Sequence, residues 1–240
     1  MEKKTAQRII LLAIFSIAMG FLESAVVVYL RKIYYKDGFQ FPLQPIDQLI
    51  GKTEILREAC TLIMLVILGM MNGRTKTEKF GFFLFCFAIW DIFYYVFLKI
   101  LLGWPESLLT WDVLFLIPVT WVGPVFGPII NSLTMIILAL FISYFTDKSK
   151  QTRIILKEWV ILILGSLIII ISYTSDYVTF IRRELTLQEI ITFSEKVHQK
   201  AAAYIPENFC WPIFLTGELI LLSGIWVFYY RNYKRLKIRN

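Results

Sequence analysis

The stretch Phe80–Leu102, FGFFLFCFAIWDIFYYVFLKILL, decides the fold. At about 1.5 Å per residue a helix of this length crosses the roughly 30 Å of hydrocarbon in a bilayer. A soluble surface helix would show a charged face opposite an apolar one. This run holds a single acid, Asp91, and its nearest basic residue is Lys99. The sequence therefore reads as a membrane span with a carboxylate inside it, and that carboxylate is the first pointer to function.

Comparable runs recur along the chain, at Ile9–Leu30, Ile55–Met71, Val122–Phe145, Trp159–Ser175 and Trp211–Tyr230. Together they predict an all-α polytopic membrane helix bundle of about six transmembrane helices in one domain covering 1–240. The second run is short, and the fourth begins in proline-rich sequence. Composition agrees: of 240 residues, 58% are hydrophobic and only 18% charged. Soluble domains run nearer half apolar and about a quarter charged.

The net charge of +7 does not call for a nucleic-acid partner, because the basic residues fall in short segments between the apolar runs. They are denser before Ile9, in 72–79, in 146–158 and in the tail 231–240 than on the other side, and the acids show the opposite bias. By the positive-inside rule both termini are expected in the cytoplasm, in the inner membrane of a prokaryotic cell. Lys3, Lys4 and Arg8 precede a run too long for a signal-peptide core, so the first span is expected to be retained. The basic tail reads as an anchor with affinity for anionic membrane lipids.

Three cysteines, Cys60, Cys86 and Cys210, lack the spacing of a thiolate metal site, leaving room for at most one bridge, between Cys60 and Cys210. A lone histidine, His198, supports neither haem ligation nor a zinc site. No cofactor and no resident metal are expected.

Three connections lie on the side away from the termini. Residues 32–53 form an ordered loop. The external segment 176–210 contains an amphipathic helix at 186–203, with Leu187, Ile190, Ile191 and Val197 at helical spacing and Thr186 with Glu189 as a capping box. The third, Gly103–Pro128, is too apolar for a solvated loop and is broken by Pro118, Pro124 and Pro128. It is expected to be a short interfacial or re-entrant helix, with Trp104, Trp111 and Trp121 either at headgroup level or inside. Trp90-Asp91 and Trp111-Asp112 also echo each other as a faint internal repeat.

Glu23, Asp91 and Glu218 all fall inside spans. Counted by helical rise, they lie about 12, 16 and 10 Å from the external ends of their helices, so all three sit in the outer half. Charged groups at membrane depth are expensive and face the bundle interior. Tyr94 and Tyr95 share the helix face of Asp91. Ser16, Gly20 and Ser24 form a small-residue stripe beside Glu23, Gly217 and Gly224 flank Glu218, and span four offers Asn131, Ser132 and Thr134. Arg57, between Glu54 and Glu58, is the expected cationic partner, and Asp112 lies on the same side.

Taken singly, each acid fits helix packing as well as function. Convergence at one depth favours a carboxylate-lined cavity binding a small solute or cation in a proton- or cation-coupled transporter or binding subunit. Two alternatives stay open. One is an intramembrane enzyme acting on a lipid or isoprenoid substrate through paired carboxylates, although HExxH, GxSxG and DDxxD are absent. The other is a non-catalytic subunit whose acids face a membrane-protein partner.

Overall fold

The computed structural model describes residues 2–36, 38–183, 200 and 203–239. Within them six helices run α1 (Lys3–Tyr34), α2 (Gln48–Asn72), α3 (Lys76–Leu102), α4 (Phe126–Lys148), α5 (Leu156–Arg182) and α6 (Trp211–Arg239). Helix is the structure that satisfies every backbone N–H and C=O within its own segment, which hydrocarbon demands. The ends are set locally. Asp47 accepts from the amides of Leu49 and Ile50 to start α2, Thr75 accepts from Glu78 N–H to start α3, and Gly103, at φ 67°, ends α3 in the left-handed conformation.

α3 and α4 form the centre. α1 and α2 pack on α3, α3 packs on α4, α4 meets α6, and α5 lies along α6. The small-residue stripe of α1 does what its spacing predicts: Ser16, Gly20 and Ser24 are buried, and a Cβ on Gly20 would sit 3.0 Å from the Trp90 carbonyl on α3. Five helices, α1 and α3 to α6, are long and apolar enough to cross a membrane. α2 is the exception, its first half carrying Lys52, Glu54, Arg57 and Glu58. Leu11, Leu22, Ile63, Leu164 and Leu219 are exposed on the outside of the bundle, as lipid contact requires. The chain is a multi-pass membrane helix bundle.

Both termini lie on one face, called here the terminal face. There Glu2 N–H and the Thr5 hydroxyl donate to Asp147 at 2.8 and 2.6 Å, and Arg74 spans Asp147 and the fully buried Glu78. Arg231 grips the equally buried Glu158 at 2.7 Å. The basic tail continues α6 as far as Arg239.

The connection after α3 departs from expectation. In place of a short helix it holds an antiparallel β-hairpin, β1 (Trp111–Phe115) and β2 (Trp121–Pro124), with Asp112 opposite Gly123 and Val113 opposite Val122. The register slips between Val113 and Phe115. Trp-Asp-Val-Leu-Phe is rich in strand formers, and Pro118 and Pro124 remove the amides a helix would need. β2 thereby takes the first residues assigned to span four, so α4 starts at Phe126. The echo between Trp90-Asp91 and Trp111-Asp112 joins a helix to a strand and is no repeat. All three cysteines are free thiols, so the Cys60–Cys210 bridge is absent. The amphipathic helix expected at 186–203, with its Thr186 cap, and His198 lie outside the described residues, of which that stretch includes only 200 and 203.

Candidate functional site

Three polar residues near the start of α4 point in three directions, because successive helix positions are turned by about 100°. The Asn131 amide donates to the Tyr173 hydroxyl on α5 at 2.9 Å. The Ser132 hydroxyl donates to Asp91 Oδ2 on α3 at 2.8 Å, and the Thr134 hydroxyl to Glu218 Oε2 on α6 at 2.9 Å. About one turn of α4 thereby ties α3, α5 and α6 together through a polar belt.

The hairpin lies against this belt. Trp121 stacks on Tyr173, with ring centroids 6.1 Å apart and planes 17° from parallel. Close approach of the same tyrosine requires Gly127, where a Cβ would fall 2.6 Å from the phenol oxygen. At the turn, the Leu116 amide donates to both oxygens of Glu58, at 3.1 and 3.0 Å, and the Ile117 amide donates at 3.2 Å. Glu58 lies about 15 Å along α2 from Gln48. Its carboxylate supplies the acceptors that non-helical backbone at this depth must find. On β1, Asp112 accepts from the Tyr95 hydroxyl at 3.2 Å and pairs with Arg31 at 3.4 Å. The Arg31 guanidinium lies 3.7 Å from the centroid of Trp104 and 4.4 Å from that of Phe39, a cation–π sandwich.

The sequence-predicted acids therefore fall into separate groups. Arg57 binds Glu23 and, at 2.7 Å, Glu54, and the Thr61 hydroxyl reaches Glu23 at 3.5 Å. Glu58, expected beside Arg57 as its ion-pair partner, serves the hairpin turn instead. Asp91 and Glu218 meet through α4 but take different hydroxyls. Tyr95 serves Asp112, and Tyr94 packs edge-on against its ring. Among the described residues Glu23, Asp91 and Glu218 share no common hydrogen-bond partner. A cavity of about 200 Å³ does open at the hairpin end, but Asp176, Thr179, Phe180, Arg183, Tyr204 and Glu207 are among its walls and none of those three acids is.

Several buried polar atoms have no hydrogen-bond partner among the described residues: Glu218 Oε1, Asn131 Oδ1, Trp121 Nε1, Trp90 Nε1 and Arg31 Nη1. Each such atom costs about 1–3 kcal/mol if left dry. Glu218 matters most, since its residue is only 4% exposed and a buried carboxylate half-paired is the costliest case. Outside the spans, burial pushes the Asp112 carboxyl up to about 6, with Arg31 opposing that rise. Burial likewise raises the Tyr204 phenol, which donates to Asp176 at 2.6 Å.

No group of three His, Cys, Asp or Glu side chains among the described residues is placed to hold a metal ion. Tyr173 and Arg31 line the belt and the hairpin although the sequence does not single them out, and Trp121, expected at headgroup level or inside, lies inside against Tyr173. Tyr173 could have been noticed as a phenol inside an otherwise aliphatic span, whereas nothing in the sequence pairs Arg31 with Trp104. Comparison with protein-family models, with curated proteins and with solved structures finds no match.

Proposed function

We propose that this chain is a proton- or cation-coupled solute transporter or binding subunit of the cytoplasmic membrane, with both termini in the cytoplasm. The observation that carries the reading is the unpaired, buried Glu218 Oε1. A carboxyl in that position sheds the cost of its buried charge by taking up a proton or a bound cation. Asn131 Oδ1, on the α4 helix that also presents Thr134 to Glu218, is a second unpaired oxygen acceptor. Asp91, held by Ser132 on the same stretch of α4, is the second acid of the belt. The density of Lys and Arg at the terminal face supports its cytoplasmic placement.

The reading is tested in proteoliposomes holding the purified chain, under an imposed proton or sodium gradient, with a panel of small organic cations. Gradient-driven uptake should be abolished in Glu218→Gln and reduced at least about tenfold in Asp91→Asn, the scale on which a lost charged contact acts. Uptake unaffected by both substitutions, or none for any solute under either gradient, would remove the proposal.

A further inference from the structure

We propose that the hairpin Trp111–Pro124 is a gate over the polar belt, hinged where it joins α4 and latched by Glu58. The inference rests on the belt being the ion-handling site, and it adds how that site is reached.

The hairpin is held unequally at its two ends. At its base the ladder continues beyond the strands, with Val125 N–H donating to the Thr110 carbonyl at 3.0 Å and Phe126 N–H to that of Leu108 at 2.8 Å. This fixes the base to the first turn of α4. At its tip, the amides of Leu116 and Ile117 both end on one side chain, Glu58, supplied by a different helix. The hydrogen bond between Thr120 and the Tyr177 hydroxyl and the packing of Val122 on α5 add to the hold there. Near the base, Asp112 is held by two contacts at the long end of the usual range, 3.2 Å from Tyr95 and 3.4 Å from Arg31.

The closed arrangement also leaves hydrogen-bonding capacity unused on both flanks. Trp121 Nε1 on β2 and Arg31 Nη1 beside β1 are buried without a partner among the described residues. Swinging the tip outward would expose both donors to water, so the open form recovers what the closed form forfeits. The same movement would lift Trp121 from Tyr173, the phenol that receives the Asn131 amide, and so uncover the belt from the hairpin side. Arg57, next to Glu58 in sequence, joins α2 to Glu23 on α1, which couples the latch helix to its neighbour.

Two measurements on the full chain in lipid nanodiscs test the gate. The first is hydrogen exchange of the native protein. Amides of 111–124 should exchange together and faster than those of 82–98 in α3, and exchange of the hairpin as slow as the α3 core would overturn the proposal. The second uses Asn131→Cys in a background with Cys60, Cys86 and Cys210 replaced, probed by a small cationic methanethiosulfonate. Its modification should be slow with Glu58 intact and at least about tenfold faster in Glu58→Ala, because each hydrogen bond to a charged group shifts such an equilibrium by about that factor. Glu58→Gln, which keeps one acceptor oxygen, should fall between, and it serves alone where the alanine variant does not fold. An unchanged rate in a folded, monodisperse variant would mean a fixed plug. Loss of the ion-coupled reading would leave both readouts as they are, whereas a fixed plug would leave gradient-driven uptake intact and these readouts flat.

Discussion

Glu218 shows how a single residue carries both the structural and the functional reading. One oxygen takes the Thr134 hydroxyl and the other takes nothing among the described residues. Replacing Thr134 with Val keeps the shape and removes the donor. The variant should lose about 1–3 kcal/mol of stability, measured as a lower midpoint of unfolding in detergent, and a midpoint equal to the native one would show that Thr134 is not a real partner. Asp112 offers a second residue-scale test through pH. Its folded carboxyl stands at about 6, above the ordinary value of 3.8, so the folded state favours the protonated form. The stability this group contributes is therefore complete below about 4 and is lost as pH rises through about 6, some 3 kcal/mol in all. In Asp112→Asn that part of the pH slope should vanish, and an unchanged slope between pH 4 and 7 would assign it elsewhere. The acids themselves were visible in the sequence, since a carboxylate in an apolar run stands out. Their partners were only half visible. Asn131, Ser132 and Thr134 could be named, but which acid each would meet depends on how α4 is rotated against α3, α5 and α6, and a helical period does not fix that.

Among the elements, α2 and the hairpin are the ones sequence periodicity describes least well. α2 packs on α3 at Gly69, where a Cβ would fall 2.5 Å from the Lys79 carbonyl and 2.8 Å from the Phe83 amide. These are backbone atoms and cannot rotate aside, so Gly69→Ala must push α2 off α3, at a cost of about 1–3 kcal/mol. Gly51, on the same helix with nothing within 4 Å of its Cβ position, is the control. Its change to Ala should be neutral or stabilising by up to about 1 kcal/mol from helix propensity. Equal effects on the unfolding midpoint would refute the close crossing. Apolar content and proline spacing point to a helix here, whereas the strand-forming composition of Trp111–Phe115 decides the outcome. What stabilises those strands, the Glu58 carboxylate under the turn and Tyr173 under Trp121, comes from α2 and α5, distant in sequence, and leaves no local mark. The six long helices were legible, whereas their ends were not: α5 and α6 both run past their apolar cores because Arg182, Arg231 and their neighbours extend the helix beyond the hydrophobic run.

For the whole molecule, the two faces differ in how they are closed. The terminal face is tied by arginine clamps on buried acids, Arg74 on Glu78 and Asp147, and Arg231 on Glu158. The opposite face is closed by the hairpin, through Glu58 at its tip, Asp112 near its base and the packing of Trp121 and Val122 on Tyr173 and Tyr177 of α5. The orientation is testable by labelling intact cells with a membrane-impermeant maleimide. In a cysteine-free background, Ser107→Cys at the hairpin end should react, and Lys237→Cys should react only after the membrane is broken. The reverse pattern would invert the topology. The most direct measurement of the central claim, that Glu218 holds a proton or a cation, is an infrared spectrum of the reconstituted protein against its Glu218→Gln variant, recorded across proton and sodium concentrations. The account predicts a carboxyl band, absent from the variant, that responds to one of the two ions. A Glu218 band that stays constant against both would contradict it.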